Sequence, residues 1–174
     1  VAYLAKDALR KYGLMPTGET AAIRAGTPAE RSGSAAAGAT EVGLSDSTGM
    51  ANPAQVRRLF NKVRAVIGDK TGAAHLHNTR GLGLANCLAA YDVGVRTFDA
   101  SLGGLGGCPY APGATGNVVT EDLVFMFEAM GVHTGVDLSR LLAARAPLAA
   151  GLPGEPLHGM LAEAGLPKGF SPVQ

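Results

Sequence analysis

The chain's 174 residues are 47% hydrophobic and carry a formal net charge of +1, with 25 glycines and no tryptophan. Near-neutral charge gives no electrostatic reason to expect a nucleic-acid or membrane-surface partner, and the composition is neither collagen-like nor disordered. Two cysteines form no disulfide framework, so reduced thiols in a cytoplasmic protein are the default; neither a membrane-spanning apolar run nor a signal-peptide pattern occurs.

Residues 2–12, AYLAKDALRKY, have helix-forming composition, with Gly13 placed to cap them. Between Ile23 and Val42 there is no large apolar side chain, so this stretch buries little surface and reads as a linker or a segment foreign to the fold. The chain therefore divides into a segment over 1–39 and a domain over 40–174. Glu41 to Ser45 reads as a short strand that ends at Asp46. Asn52-Pro53 then starts a helix, with asparagine at the N-cap and proline at the first helical position. Val56, Leu59, Phe60, Val63, Val66 and Ile67 follow at helical spacing until Gly68.

Ala73 to Asn78 is the next strand, with His75 and His77 at its C-terminal end. A helix from about Leu82 to Val93 follows, and Val95 to Ala100 make a third strand. Thr120 is expected as an N-cap, with Glu121 and Asp122 as dipole partners in the first turn. Leu123, Met126, Phe127 and Met130 form that helix's apolar stripe. Asp137 opens a further helix, and the Pro- and Gly-punctuated tail has room for one short helix. Cys87, among alanines and leucines, reads as a buried small residue. This strand–helix order is the rhythm of parallel βα units, in a barrel or a doubly wound sheet, where chemistry gathers at the C-terminal ends of the strands. Asp46, His75, His77 and the loop around Cys108 all fall at that end.

The loop SLGGLGGCPYAPGATGN, from Ser101 to Asn117, is too rich in glycine for a regular element and suits close approach of a ligand. Glycines such as Gly106 and Gly107 let backbone N–H groups face that ligand. Cys108 is a candidate nucleophile or general acid/base, or simply a small residue in a tight loop. His75 and His77, on alternate residues of a strand, point to one face and suit a divalent cation of the magnesium, manganese or zinc type. Asn117 caps a turn or offers its amide oxygen to that cation.

Taken together, HLHNTRGLGLAN, DASLGGLGGCPYAPGATGNVVTEDLV and GVHTGVDL, with EVGLSDSTGMANP and GLPGEPLHGM, resemble the 3-hydroxy-3-methylglutaryl-CoA lyase family of the metal-dependent lyase and Claisen-type superfamily. The resemblance runs from about Thr40 to the tail. It implies an α/β fold made of the later βα units of a (β/α)8 TIM barrel, an incomplete barrel. By this resemblance His75, His77 and Asn117 are ligands of magnesium or manganese, and His75 also lies close to the substrate. Cys108 becomes the catalytic thiol on a mobile loop, Asp46 an active-site aspartate, and Gly106 and Gly107 contacts of the substrate. The implied reaction is retro-Claisen cleavage of 3-hydroxy-3-methylglutaryl-CoA to acetoacetate and acetyl-CoA, in a chain that can form homo-oligomers.

Two departures shape the expectation. The family's opening strand carries an Arg-Asp-Gly-type motif whose aspartate ligates the metal, and this chain contains none. Its 174 residues also fall short of the ~250 typical of the barrel. A truncated or disrupted lyase-type sequence with little activity of its own is expected. Asn78 is the form associated with the related isopropylmalate and homocitrate synthases, so a Claisen-type synthase is one alternative and a non-catalytic metal-binding fragment another.

Overall fold

The computed structural model describes residues 38–107 and 116–172, so the helix expected over 2–12 lies outside the described residues. Strand β1 (Val42–Asp46), helix α1 (Pro53–Ile67), strand β2 (Thr71–Leu76), helix α2 (Gly83–Asp92), strand β3 (Phe98–Asp99) and helix α3 (Thr120–Ala129) alternate along the chain. Three short helices follow: α4 (Leu138–Ala143), α5 (Arg145–Gly151) and α6 (Met160–Ala164). The strands form one parallel sheet in the order β1-β2-β3, so neighbours in sequence are neighbours in space. Each crossover carries a helix, as parallel pairing requires. The result is a partial parallel βα array, as expected of consecutive units of an incomplete (β/α)8 barrel.

Helix α1 forms where the sequence places it. Asn52 accepts the Gln55 N–H at 3.0 Å, and Gln55 returns its side-chain oxygen to the Asn52 N–H at 3.0 Å, a reciprocal cap. Val56, Leu59, Phe60 and Val63 are buried along one face, each worth roughly 1.5–3 kcal/mol relative to exposure. Gly68 ends the helix at φ 57°, a conformation a Cβ would disfavour. The core gathers Val56 and Phe60 with Ala74 and Leu76 of β2, Cys87 and Ala90 of α2, and Leu123 and Phe127 of α3. The Tyr91 and Phe98 rings lean on Phe127 with centroids 5.3 and 5.1 Å away.

The third strand is shorter than its hydrophobic pattern suggests. The Val95 N–H turns back to the Ala90 carbonyl at 3.0 Å, and Arg96 donates to the Tyr91 and Val95 carbonyls at 2.8 Å. These bonds tie the strand's first residues to the end of α2, and the ladder keeps only Phe98 and Asp99. Thr120 is not the N-cap of α3. The cap is Val119, without a side-chain bond, and the Thr120 N–H donates to the Ser101 carbonyl at 2.9 Å. Asp137 does cap its helix, accepting the Arg140 N–H at 3.0 Å. Met130 stands 45% exposed, so the apolar stripe of α3 stops at Phe127. Among the described residues no helix is long and apolar enough to cross a membrane.

Candidate active site

Strand β2 is central; it carries His75, and His77 follows just past its end. His75 and His77 leave the same face, with Nε2 atoms 3.2 Å apart and the rings edge-on at 65°. In register with His75 lie Ser45 on β1 and Asp99 on β3. Asp99 Oδ2 stands 3.7 Å from His75 Nδ1. Burial lowers the pKa of His75, the adjacent His77 lowers it further, and Asp99 works against both. A neutral imidazole is the form that ligates metals. His77 is buried just past the end of β2 and sits opposite Asn117 in an isolated antiparallel bridge.

Asn117 holds a fixed orientation. Its Nδ2 donates to the Leu105 carbonyl at 2.9 Å and the Gly106 carbonyl at 3.3 Å. The amide oxygen Oδ1 is buried and has no hydrogen-bond partner among the described residues. An unmatched buried oxygen costs ~1–3 kcal/mol, so the site favours something positive beside it. Among the described residues no three His, Cys, Asp or Glu side chains form a metal-holding group. Two imidazoles and an amide oxygen fit a divalent cation that accepts mixed nitrogen and oxygen ligands.

Asp46 closes β1 at the same end of the sheet, 4% exposed. Its Oδ1 accepts from the Thr48 hydroxyl and the Met50 N–H, each at 3.2 Å, and its Oδ2 from the Ala51 N–H at 2.9 Å. This carboxylate therefore shapes the loop after β1 from within. Asn86 completes the hold by donating Nδ2 to the Ala51 carbonyl at 2.9 Å. Arg80 bridges across from the loop after β2, its Nη1 reaching the Thr48 and Gly49 carbonyls at 3.2 and 3.3 Å. Asn78 is a loop clasp: its Oδ1 accepts the N–H of Gly83, the first residue of α2, at 2.8 Å. An aspartate could accept the same bond, so this position does not separate lyase from synthase.

Cys108 lies outside the described residues. Gly106 and Gly107 are exposed, and Gly106 contributes its carbonyl to the Asn117 amide. Gly104 and Gly116 bring the two ends of the loop together; a Cβ on Gly116 would lie 1.4 Å from the Gly104 oxygen. Of the residues that brace this root, Glu121 and Asp122 are expected from the sequence only as dipole partners of the α3 first turn, and Arg145 is not singled out at all. Glu121, fully buried, pairs with Arg145 and accepts the Gly103 N–H on both oxygens at 3.2 and 3.1 Å. Arg145 also donates to the His158 and Leu157 carbonyls at 2.8 and 3.3 Å, while the His158 N–H returns to the Gly103 carbonyl at 2.8 Å. Asp122 accepts the Met160 and Leu161 N–H groups at 3.0 and 2.8 Å. The two first-turn carboxylates thus tie the tail to the site. One signal was available for Asn86, a polar residue at a buried position of an Ala/Leu helix; none was available for the Glu121–Arg145 pair.

Comparison with known proteins places these features in a group. The model of the family described as HMGL-like matches residues 19–147. The chain is 53% identical over 128 residues to an (R)-citramalyl-CoA lyase of Chloroflexus aurantiacus, covering 74% of this chain and 40% of that protein. It is 49% identical over 107 residues to the hydroxymethylglutaryl-CoA lyase YngG of Bacillus subtilis, covering 62% of this chain and 36% of the relative. Among solved structures, an HMG-CoA lyase from Acinetobacter baumannii in complex with coenzyme A and 3-methylmalate superposes with a TM-score of 0.72 at 49% identity, over 81% of this chain and 46% of that one. The hydroxymethylglutaryl-CoA lyase of Pseudomonas aeruginosa gives a TM-score of 0.74 at 32% identity, over 91% of this chain and 56% of that one. The chain thus spans about 40% or less of the length of these curated relatives.

Proposed function

Because the chain belongs to the HMGL-like family, we propose that it carries the histidine–amide part of a carbon–carbon lyase centre acting on 3-hydroxyacyl-CoA thioesters. The observation that carries this reading is the Asn117 oxygen, without a hydrogen-bond partner among the described residues, opposite the second of two imidazoles at the end of β2. His75, His77 and Asn117 would hold a divalent cation of the magnesium or manganese type. When bound, that ion supplies Lewis-acid polarisation of substrate oxygens.

The chain's own residues do the rest. The carbonyls of Leu105 and Gly106 keep the Asn117 amide from turning. Burial favours the neutral form of His75. In the reaction, a base takes the proton of the C3 hydroxyl, the C2–C3 bond breaks, its electron pair passes to the thioester as an enolate, and C2 is reprotonated. With 3-hydroxy-3-methylglutaryl-CoA the products are acetoacetate and acetyl-CoA; with citramalyl-CoA they are pyruvate and acetyl-CoA. Cys108 is proposed as a member of the proton relay, and Gly106 and Gly107 as contacts of the acyl group. Three neutral donors balance no charge on a divalent ion, so turnover by this chain is expected to be well below that of a full-length relative assayed in parallel.

The test is metal binding followed by product analysis. Manganese titration by electron paramagnetic resonance should give one site, weakened at least about tenfold in His77→Ala and in Asn117→Ala. With each thioester, acetyl-CoA should appear with acetoacetate or pyruvate as its co-product. Manganese affinity unchanged in both variants would overturn the ligand set, and absence of both co-products at any enzyme concentration would overturn the lyase reading.

A further inference from the structure

We propose that Arg80 is a specificity residue of the same mouth, a fixed guanidinium that receives an anionic oxygen group of the thioester substrate; this rests on the acyl-CoA reading above. Asp46 is paired in register with Leu76, so the loops leaving β1 and β2 lie side by side at the C-terminal end of the sheet. Arg80 belongs to the second loop, three residues after His77, and its backbone stays within about 10 Å of that imidazole by chain length alone. Its Nη1 is held by the Thr48 and Gly49 carbonyls of the first loop. Those partners are neutral. They fix the position of the group without cancelling its charge, and no described carboxylate forms an ion pair with it.

The remaining N–H groups of Arg80 have no hydrogen-bond partner among the described residues, and the side chain is exposed. A planar cation with a free edge, already immobilised, suits a carboxylate or phosphate and loses little freedom on binding. An acyl-CoA of the proposed class offers that chemistry twice, as the terminal carboxylate of the acyl group and as the phosphates of CoA.

Calorimetric titrations of the full chain with magnesium present would separate the two sources. The probes are CoA, 3'-dephospho-CoA, and free 3-hydroxy-3-methylglutarate. Arg80→Gln keeps an N–H for the Thr48 and Gly49 carbonyls but removes the charge; Arg80→Lys keeps the charge. We expect Arg80→Gln to weaken one class of probe about tenfold and to flatten the salt dependence of its affinity, with Arg80→Lys recovering most of both. A loss confined to the free diacid assigns the group to the carboxylate. A loss on CoA that shrinks with dephospho-CoA assigns it to the 3'-phosphate, and an equal loss on both nucleotides to the pyrophosphate. Affinities within twofold of the parent for every probe would overturn the proposal for Arg80 alone. Failure of the parent chain to bind any probe would instead remove the acyl-CoA reading, and this inference with it.

Discussion

Cys87 is fully buried on α2, and burial alone pushes its thiol up to about 12 from an ordinary 9.0. The sign of the linkage is fixed by that direction. Above the unfolded value the unfolded chain releases this proton while the folded one keeps it, so stability is fully present below about pH 9 and declines as pH rises toward 12. The slope from this one group is at most about 1.4 kcal/mol per pH unit. Urea midpoints at a series of alkaline pH values should fall more steeply for the parent than for Cys87→Ala. In a Cys108→Ser background, a thiol reagent at pH 8 should react only after denaturation. The burial of Cys87 was legible because its neighbours are alanine and leucine. The part played by Asn117 was legible only as a choice between cap and ligand, since the carbonyls that turn its amide come from Leu105 and Gly106, residues across the loop whose positions no spacing rule gives.

At the scale of elements, α1 could be read outright. Asn52, Pro53 and Gln55 encode its start locally, and a cap of this kind needs no distant partner. Strand β3 and the start of α3 could not, because their hydrogen bonds run to Ala90 and Ser101, which compete with the local pattern. The Glu121–Arg145 pair is the extreme case, joining the first turn of α3 to α5. Breaking such a pair leaves a charge stranded in the interior, which costs about 3–5 kcal/mol. Arg145→Met should therefore lower the unfolding free energy by about that amount in denaturant titrations. Glu121→Gln combined with Arg145→Met should recover part of the loss; a single Arg145→Met change of under about 0.5 kcal/mol would show that the pair contributes only surface charge.

Across the whole molecule, the core is concentrated around β2, which has a strand on each side and helices α1 and α2 packed nearby. Helix α5 buries no residue, and α6 buries only Leu161. Amide hydrogen exchange should follow this gradient, slowest at Ala73, Ala74 and Leu76 and fastest over 146–151, with the tail protected mainly at the Met160 and Leu161 N–H groups that Asp122 accepts. Uniform protection across β2 and α5 would contradict the gradient. The βα order was visible in the sequence because hydrophobic period and glycine punctuation are local properties. The bracing of the tail was not, because it depends on which distant carbonyls a single arginine meets.

The seam at Gly104 and Gly116 has one more implication. With the would-be methyl position of residue 116 already filled by the oxygen of residue 104, any larger side chain there must push the backbone of Gly104 or of its own residue aside before it can be seated. Both ends of the glycine loop, and with them the carbonyls that hold the Asn117 amide, are thus packed around a residue with no side chain at all.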